Sequence, residues 1–71
     1  MDLTDDERSF GFGALTIAGQ ALVAMQLRGG LYAVKRETTK GGVEYTICNG
    51  ELHVLYSPAK SLEELRARFK R

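Results

Sequence analysis

The stretch Val43-Glu44-Tyr45-Thr46-Ile47-Cys48-Asn49-Gly50-Glu51-Leu52-His53-Val54-Leu55-Tyr56 most constrains what this chain can fold into. Asn-Gly suits the two positive-φ positions of a type I′ turn, and apolar residues alternate on both sides of it. A two-residue turn would pair Cys48 with Glu51, Ile47 with Leu52, Tyr45 with Val54 and Val43 with Tyr56. One face would then carry six apolar residues in three cross-strand pairs and would need to be buried. On this reading Gly50→Val places a β-branched residue at positive φ and costs roughly 1 to 2 kcal/mol.

A second strand is expected over Leu31 to Thr39, with Lys40-Gly41-Gly42 as its turn. If that turn centres on Lys40-Gly41, Val34 lies beside Ile47 and Arg36 beside Tyr45, and Tyr32 joins the same face. The outcome is a three-stranded antiparallel meander. Thr4-Asp5-Asp6-Glu7 has the form of a capping box, so a helix should start at Asp5 and break near Gly11-Phe12-Gly13. From Ala14 to Leu27, Leu15, Ala18, Leu22 and Met25 recur at the i, i+3, i+7, i+10 spacing of a helix face. The remaining sides are nearly as apolar, so this helix should be covered on more than one side, and the same four residues are candidates for self-association. Arg28-Gly29-Gly30 would end it. Ser57-Pro58 stops the last strand, and Ser61-Leu62-Glu63-Glu64 opens a final helix whose Leu62, Leu65 and Phe69 face inward. The expected fold is one α+β domain over residues 1–71, in the order αβββα, with both helices on one face of the sheet.

A chain of 71 residues buries only about 60% of the surface its unfolded chain exposes and often depends on a disulfide, a metal or a partner. One Cys rules out an internal disulfide, and one Cys with one His cannot supply a four-ligand zinc site. No metal and no cofactor are therefore expected, and a homodimer or a protein partner is. The acidic start lacks the basic region of a secretory signal, and no apolar run is long enough to span a membrane, so a soluble cytoplasmic chain is expected.

Catalytic motifs are absent from the sequence. Cys48 and His53 would lie diagonally on the outer sheet face, but a flat face offers a Cys-His dyad neither an oxyanion hole nor a dry pocket. None of the glycine pairs has phosphate-loop spacing. The formal charge of +1 gives no global field for a polyanion, although residues 60 to 71 hold five cations against two acids. Lys60, Arg66, Arg68, Lys70 and Arg71 thus form an alternative nucleic-acid patch. The favoured site is the outer sheet face, where Leu31, Lys35, Glu37, Glu44, His53 and Leu55 mix apolar and charged groups as protein interfaces do.

In its size, single domain and lack of a site motif, the chain is similar to small proteins encoded by phages and other mobile elements, anti-CRISPR proteins among them. That likeness implies a non-enzymatic inhibitor that occludes a surface on a host protein complex. The alternative is a nucleic-acid-binding or regulatory protein that uses the basic C-terminal helix.

Overall fold

A computed structural model describes residues 3–69. Its elements are α1 (Asp5–Phe10), β1 (Gly13–Ile17), β2 (Gln20–Gln26), a short turn at Arg28–Gly30, β3 (Tyr32–Glu37), β4 (Val43–Cys48) and α2 (Leu62–Arg68). The sheet is antiparallel with strand order β1-β2-β3-β4. The fold is α+β with four strands, one more than the sequence suggests.

The opening of the chain follows its local signals. Thr4 caps α1 by accepting from the Glu7 N–H at 3.1 Å, and the Glu7 carboxylate accepts from the Thr4 N–H at 2.9 Å, which is a complete capping box. The helix ends at Phe10, and Gly11-Phe12 carries the chain into the sheet.

The expected helix from Ala14 to Leu27 is a β-hairpin. Ile17 lies opposite Gln20, and the two residues between them, Ala18 (φ 50°) and Gly19 (φ 78°), both have positive φ, as a type I′ turn requires. The physical reason is that β2, the apolar half of this hairpin, meets other side chains on both of its faces. Val23 and Met25 face one side, while Leu15, Ile17, Leu22 and Ala24 face the other. A strand buried on both faces shows a continuous apolar run instead of an alternation, and short apolar runs do not distinguish strand from helix. The expected helical periodicity is not realised, and the segment is only partly covered, with Ala14, Thr16, Gln20, Ala21 and Gln26 exposed.

The pairing of β3 with β4 differs from expectation by one residue. The loop is Thr39-Lys40-Gly41, three residues long, with Thr38 N–H donating to Gly42 C=O at 2.9 Å and Gly41 at φ 82°. Val34 therefore lies opposite Thr46 and Lys35 opposite Tyr45. A one-residue slip exchanges the faces of a strand. Tyr32, Val34 and Arg36 consequently leave the Tyr45 face, and Ala33 and Lys35 replace them.

The Asn49-Gly50 hairpin is also corrected. The chain turns there, but the loop is longer: Asn49 Oδ1 accepts from the N–H groups of Glu51 (2.9 Å) and His53 (3.1 Å), and Leu52, at φ 63°, takes the left-handed position in place of Gly50. Self-bonding by the Asn side chain stabilises this wider turn. The returning chain touches β4 only at bridges, Cys48 opposite Val54 and Tyr45 opposite Ala59. Val43, Val54, Leu55 and Tyr56 are exposed as a result.

Two apolar clusters hold the sheet. On the front face Ala33, Tyr45 and Ile47 pack with Phe12, Ala59 and Leu65, and α1 and α2 add Phe10, Leu62 and Phe69. Ser61 caps α2 by accepting from the Glu64 N–H. On the back face Ile17, Ala24, Val34 and Cys48 run across all four strands, with Leu15, Leu22, Tyr32 and Leu52 around them. No helix of the described residues is long and apolar enough to cross a membrane.

Candidate functional site

The register slip creates the most polar feature of the interior. Lys35, which an outward-facing strand position would leave in water, enters the front face and lies 5% exposed, beside Tyr45 at 6% and Glu7 at 3%. The Lys35 ammonium donates to Glu7 Oε1 at 2.8 Å, and the Tyr45 hydroxyl donates to Oε2 at 2.7 Å. With the Thr4 N–H also on Oε1, both carboxylate oxygens are occupied. Burial alone would raise the Glu7 pKa. The bonds from Lys35, Thr4 and Tyr45 and the Lys35 charge overcome that and hold it at about 2. Burial and the adjacent Glu7 carboxylate push the Tyr45 phenol well above its ordinary range, with Asp6 adding to the effect.

This constellation resembles acid–base machinery only in its residue types. A general base works best with a pKa near the operating pH, and here the carboxylate is driven far below it and the phenol far above. All three side chains are enclosed, and Lys35 and Tyr45 are each bonded to Glu7. Their role is to tie α1 to the middle of the sheet.

Around that anchor, α1 and α2 flank the end of β2 and leave a groove of about 670 Å³. Phe10, Met25, Leu27, Leu65 and Phe69 line it, with Arg28, Arg66 and Arg68 among them and no acidic residue. The Arg66 guanidinium lies 5.3 Å from the centroid of the Phe10 ring, a cation–π contact that keeps the charge at the mouth. Arg68 bonds the Glu64 carboxylate at 2.8 Å and the Ser57 and Pro58 carbonyls, which fixes α2 to the segment before it. Arg28 makes no ion pair among the described residues and stands exposed at the end of β2. The groove is therefore apolar inside and cationic at its edge.

The six residues expected on the outer sheet face do not share one. Leu31 packs with the front cluster, Lys35 is buried on Glu7, Glu37 is exposed at the end of β3, and Glu44 is half-buried on β4. His53 and Leu55 are exposed beyond the 49–52 turn. Of the self-association set, Leu15 and Leu22 face each other across the hairpin, Ala18 sits in its turn, and Met25 points to the opposite face and lines the groove. Of the basic patch, Arg66 and Arg68 lie at the groove, Lys60 is exposed just before α2, and Lys70 and Arg71 lie outside the described residues.

Cys48 is buried on the back face while His53 is exposed, and burial pushes the Cys48 thiol up against a smaller opposing effect of Arg36. A nucleophilic thiolate needs the opposite shift. Among the described residues no cluster of His, Cys, Asp or Glu is grouped to hold a metal ion.

Sequence reasoning missed the groove because its floor joins Met25 and Leu27, from the segment expected to be helical, to two helix ends. The legible signal was the positive charge of Arg66 and Arg68 near the C-terminus. Compared with known proteins, the chain matches no family model, no curated protein and no solved structure.

Proposed function

We propose that this chain is a non-enzymatic protein-binding module whose groove between α1 and α2 receives an acidic, amphipathic segment of a partner protein. The observation that carries this reading is the groove's composition, five large apolar side chains beside Arg28 and Arg66, which make no ion pair among the described residues, and Arg68, which is paired with Glu64. An amphipathic helix docks through apolar anchors in such a groove, and arginines at the mouth select acidic residues flanking those anchors. The action that follows is occupation of a surface on a host protein complex in the cytoplasm, as in the small phage-encoded inhibitors that the chain is like in size and single-domain form.

The alternative is nucleic-acid binding through Lys60, Arg66 and Arg68. Their exposure favours it. Against it, phosphates gain nothing from the apolar floor, and Arg68 is already engaged with Glu64 and two carbonyls.

Fluorescence anisotropy separates the two. A labelled acidic peptide helix carrying Leu and Phe at i and i+4 should bind, and a scrambled peptide of the same composition should not. Arg28→Glu with Arg66→Glu should weaken binding by at least about tenfold, the scale set by one charge-assisted hydrogen bond. Met25→Ala should weaken it by removing part of the apolar floor while leaving the charge of the groove unchanged. Binding of an oligonucleotide with a steep salt dependence, and of neither peptide, would reverse the assignment.

A further inference from the structure

We propose that the open edge of β1 pairs with the β1 edge of a second copy, extending two four-stranded sheets into one eight-stranded sheet. The inference is independent of the groove and begins from hydrogen-bond geometry. The two-residue Ala18-Gly19 loop closes on the Ile17–Gln20 pair, so Gly13, Leu15 and Ile17 direct their N–H and C=O groups to β2. Ala14 and Thr16 direct theirs away from it. Both residues are exposed, and among the described residues no backbone bond reaches either from outside the hairpin.

Natural edge strands are guarded by charge, proline or a bulge. Gly13-Ala14-Leu15-Thr16-Ile17 has no charge and no proline, and its pairing to β2 is continuous through all five residues. The opposite edge of the sheet is treated differently. Tyr45 exchanges two backbone bonds with Ala59, at 2.7 and 2.8 Å, and the Leu55 N–H donates to Ile47 C=O at 3.0 Å. Among the described residues β1 is thus the sheet's open side.

A second copy fits this edge by symmetry. With a two-fold axis at Leu15, Ala14 of each copy faces Thr16 of the other, and each such pair exchanges two N–H···O bonds. Leu15 meets its own counterpart on the back face and joins the two clusters that contain Leu15 and Leu22. Because each copy offers one open edge, an isologous pair uses both and closes at two. The neutral edge brings no like charges together.

Analytical ultracentrifugation of the full chain over a micromolar dilution series, with amide exchange on the same samples, tests this. The wild type should sediment at twice 7.9 kDa and dissociate on dilution. Thr16→Pro removes only an outward N–H, so it should raise the dissociation constant by at least about tenfold with an unchanged circular dichroism spectrum. Thr16→Lys, which retains the N–H, should do the same by charge repulsion, and it decides the matter if the proline variant fails to fold. The Ala14 and Thr16 amides should be protected in the dimer and exchange quickly on dilution, while Leu15 and Ile17 stay protected throughout. Leu55→Glu should leave the mass unchanged. A wild type that is monomeric across the series, dimers that survive both Thr16 substitutions, or growth beyond two copies would each overturn the proposal.

Discussion

Glu7→Gln should be among the most damaging isosteric changes in this chain. Glu7 Oε1 accepts from Lys35 at 2.8 Å and Thr4 at 2.9 Å, and Oε2 accepts from Tyr45 at 2.7 Å. Glutamine keeps the volume but replaces one acceptor with a donor and removes the charge facing the buried ammonium. Removing one member of a buried ion pair costs about 3 to 5 kcal/mol. A second route gives a similar size, because moving the Glu7 pKa from 4.5 in the unfolded chain to about 2 corresponds to roughly 3 kcal/mol. The whole domain is expected to hold only about 4 to 11 kcal/mol, so the loss is a large share. The folded pKa is the depressed one, which places this stability above pH 4.5 and removes it as pH falls toward 2. Urea unfolding followed by circular dichroism at pH 7 and pH 3 reads both effects. The wild type should lose about 2 kcal/mol from this group between those pH values, and the Gln variant should lack that component of the slope. A Gln variant within about 0.5 kcal/mol of wild type, or with the same pH slope, would refute the reasoning.

Other consequences are separable. A Val at Gly19, where φ is 78°, should cost about 1 to 2 kcal/mol by chemical denaturation, whereas Gly50→Val should change stability by less than about 0.5 kcal/mol, because Gly50 lacks a positive φ and a Cβ there meets nothing within 4 Å. This reverses the ranking that the Asn-Gly dipeptide suggests. Asn49→Ala removes the acceptor for two N–H groups and should cost about 1 to 2 kcal/mol, read as a lower midpoint in the same assay. Cys48 should resist a thiol reagent in the native state and react fully in denaturant, as a buried thiol with a raised pKa does.

What could be read from the sequence divides by the range of the interaction. The caps at Thr4 and Ser61 and the inward face of Leu62, Leu65 and Phe69 are local, depending on residues three or four apart, and the structure has them. Register is not local. One additional loop residue at Thr39-Lys40-Gly41 turned Lys35 inward and Val34 away from Tyr45. That slip is favourable because Glu7, 28 residues earlier in the chain, meets the ammonium it buries. The β1–β2 hairpin was hidden for a different reason. Its Ala, Leu, Met and Gln residues favour helix when isolated, its turn is Ala-Gly instead of Asn-Gly, and packing on both faces of β2 from Leu22 to Met25 hides the alternation that marks a strand. The groove inherits both errors, since Met25 and Leu27 reach it only from the end of a strand. Charge alone marks Arg66 and Arg68 in the sequence, and the apolar floor beside them could not be placed without the sheet.

The groove and the open edge both exist only if residues 13 to 26 form a hairpin, so a nuclear Overhauser spectrum of this segment is the most direct test. Pairs that do not exchange hydrogen bonds bring their Hα atoms close in an antiparallel ladder. Strong Hα–Hα cross-peaks are therefore predicted between Ala14 and Val23 and between Thr16 and Ala21. Sequential amide–amide peaks running unbroken from Ala14 to Leu27, with cross-peaks at i, i+3, would show a helix and contradict the account.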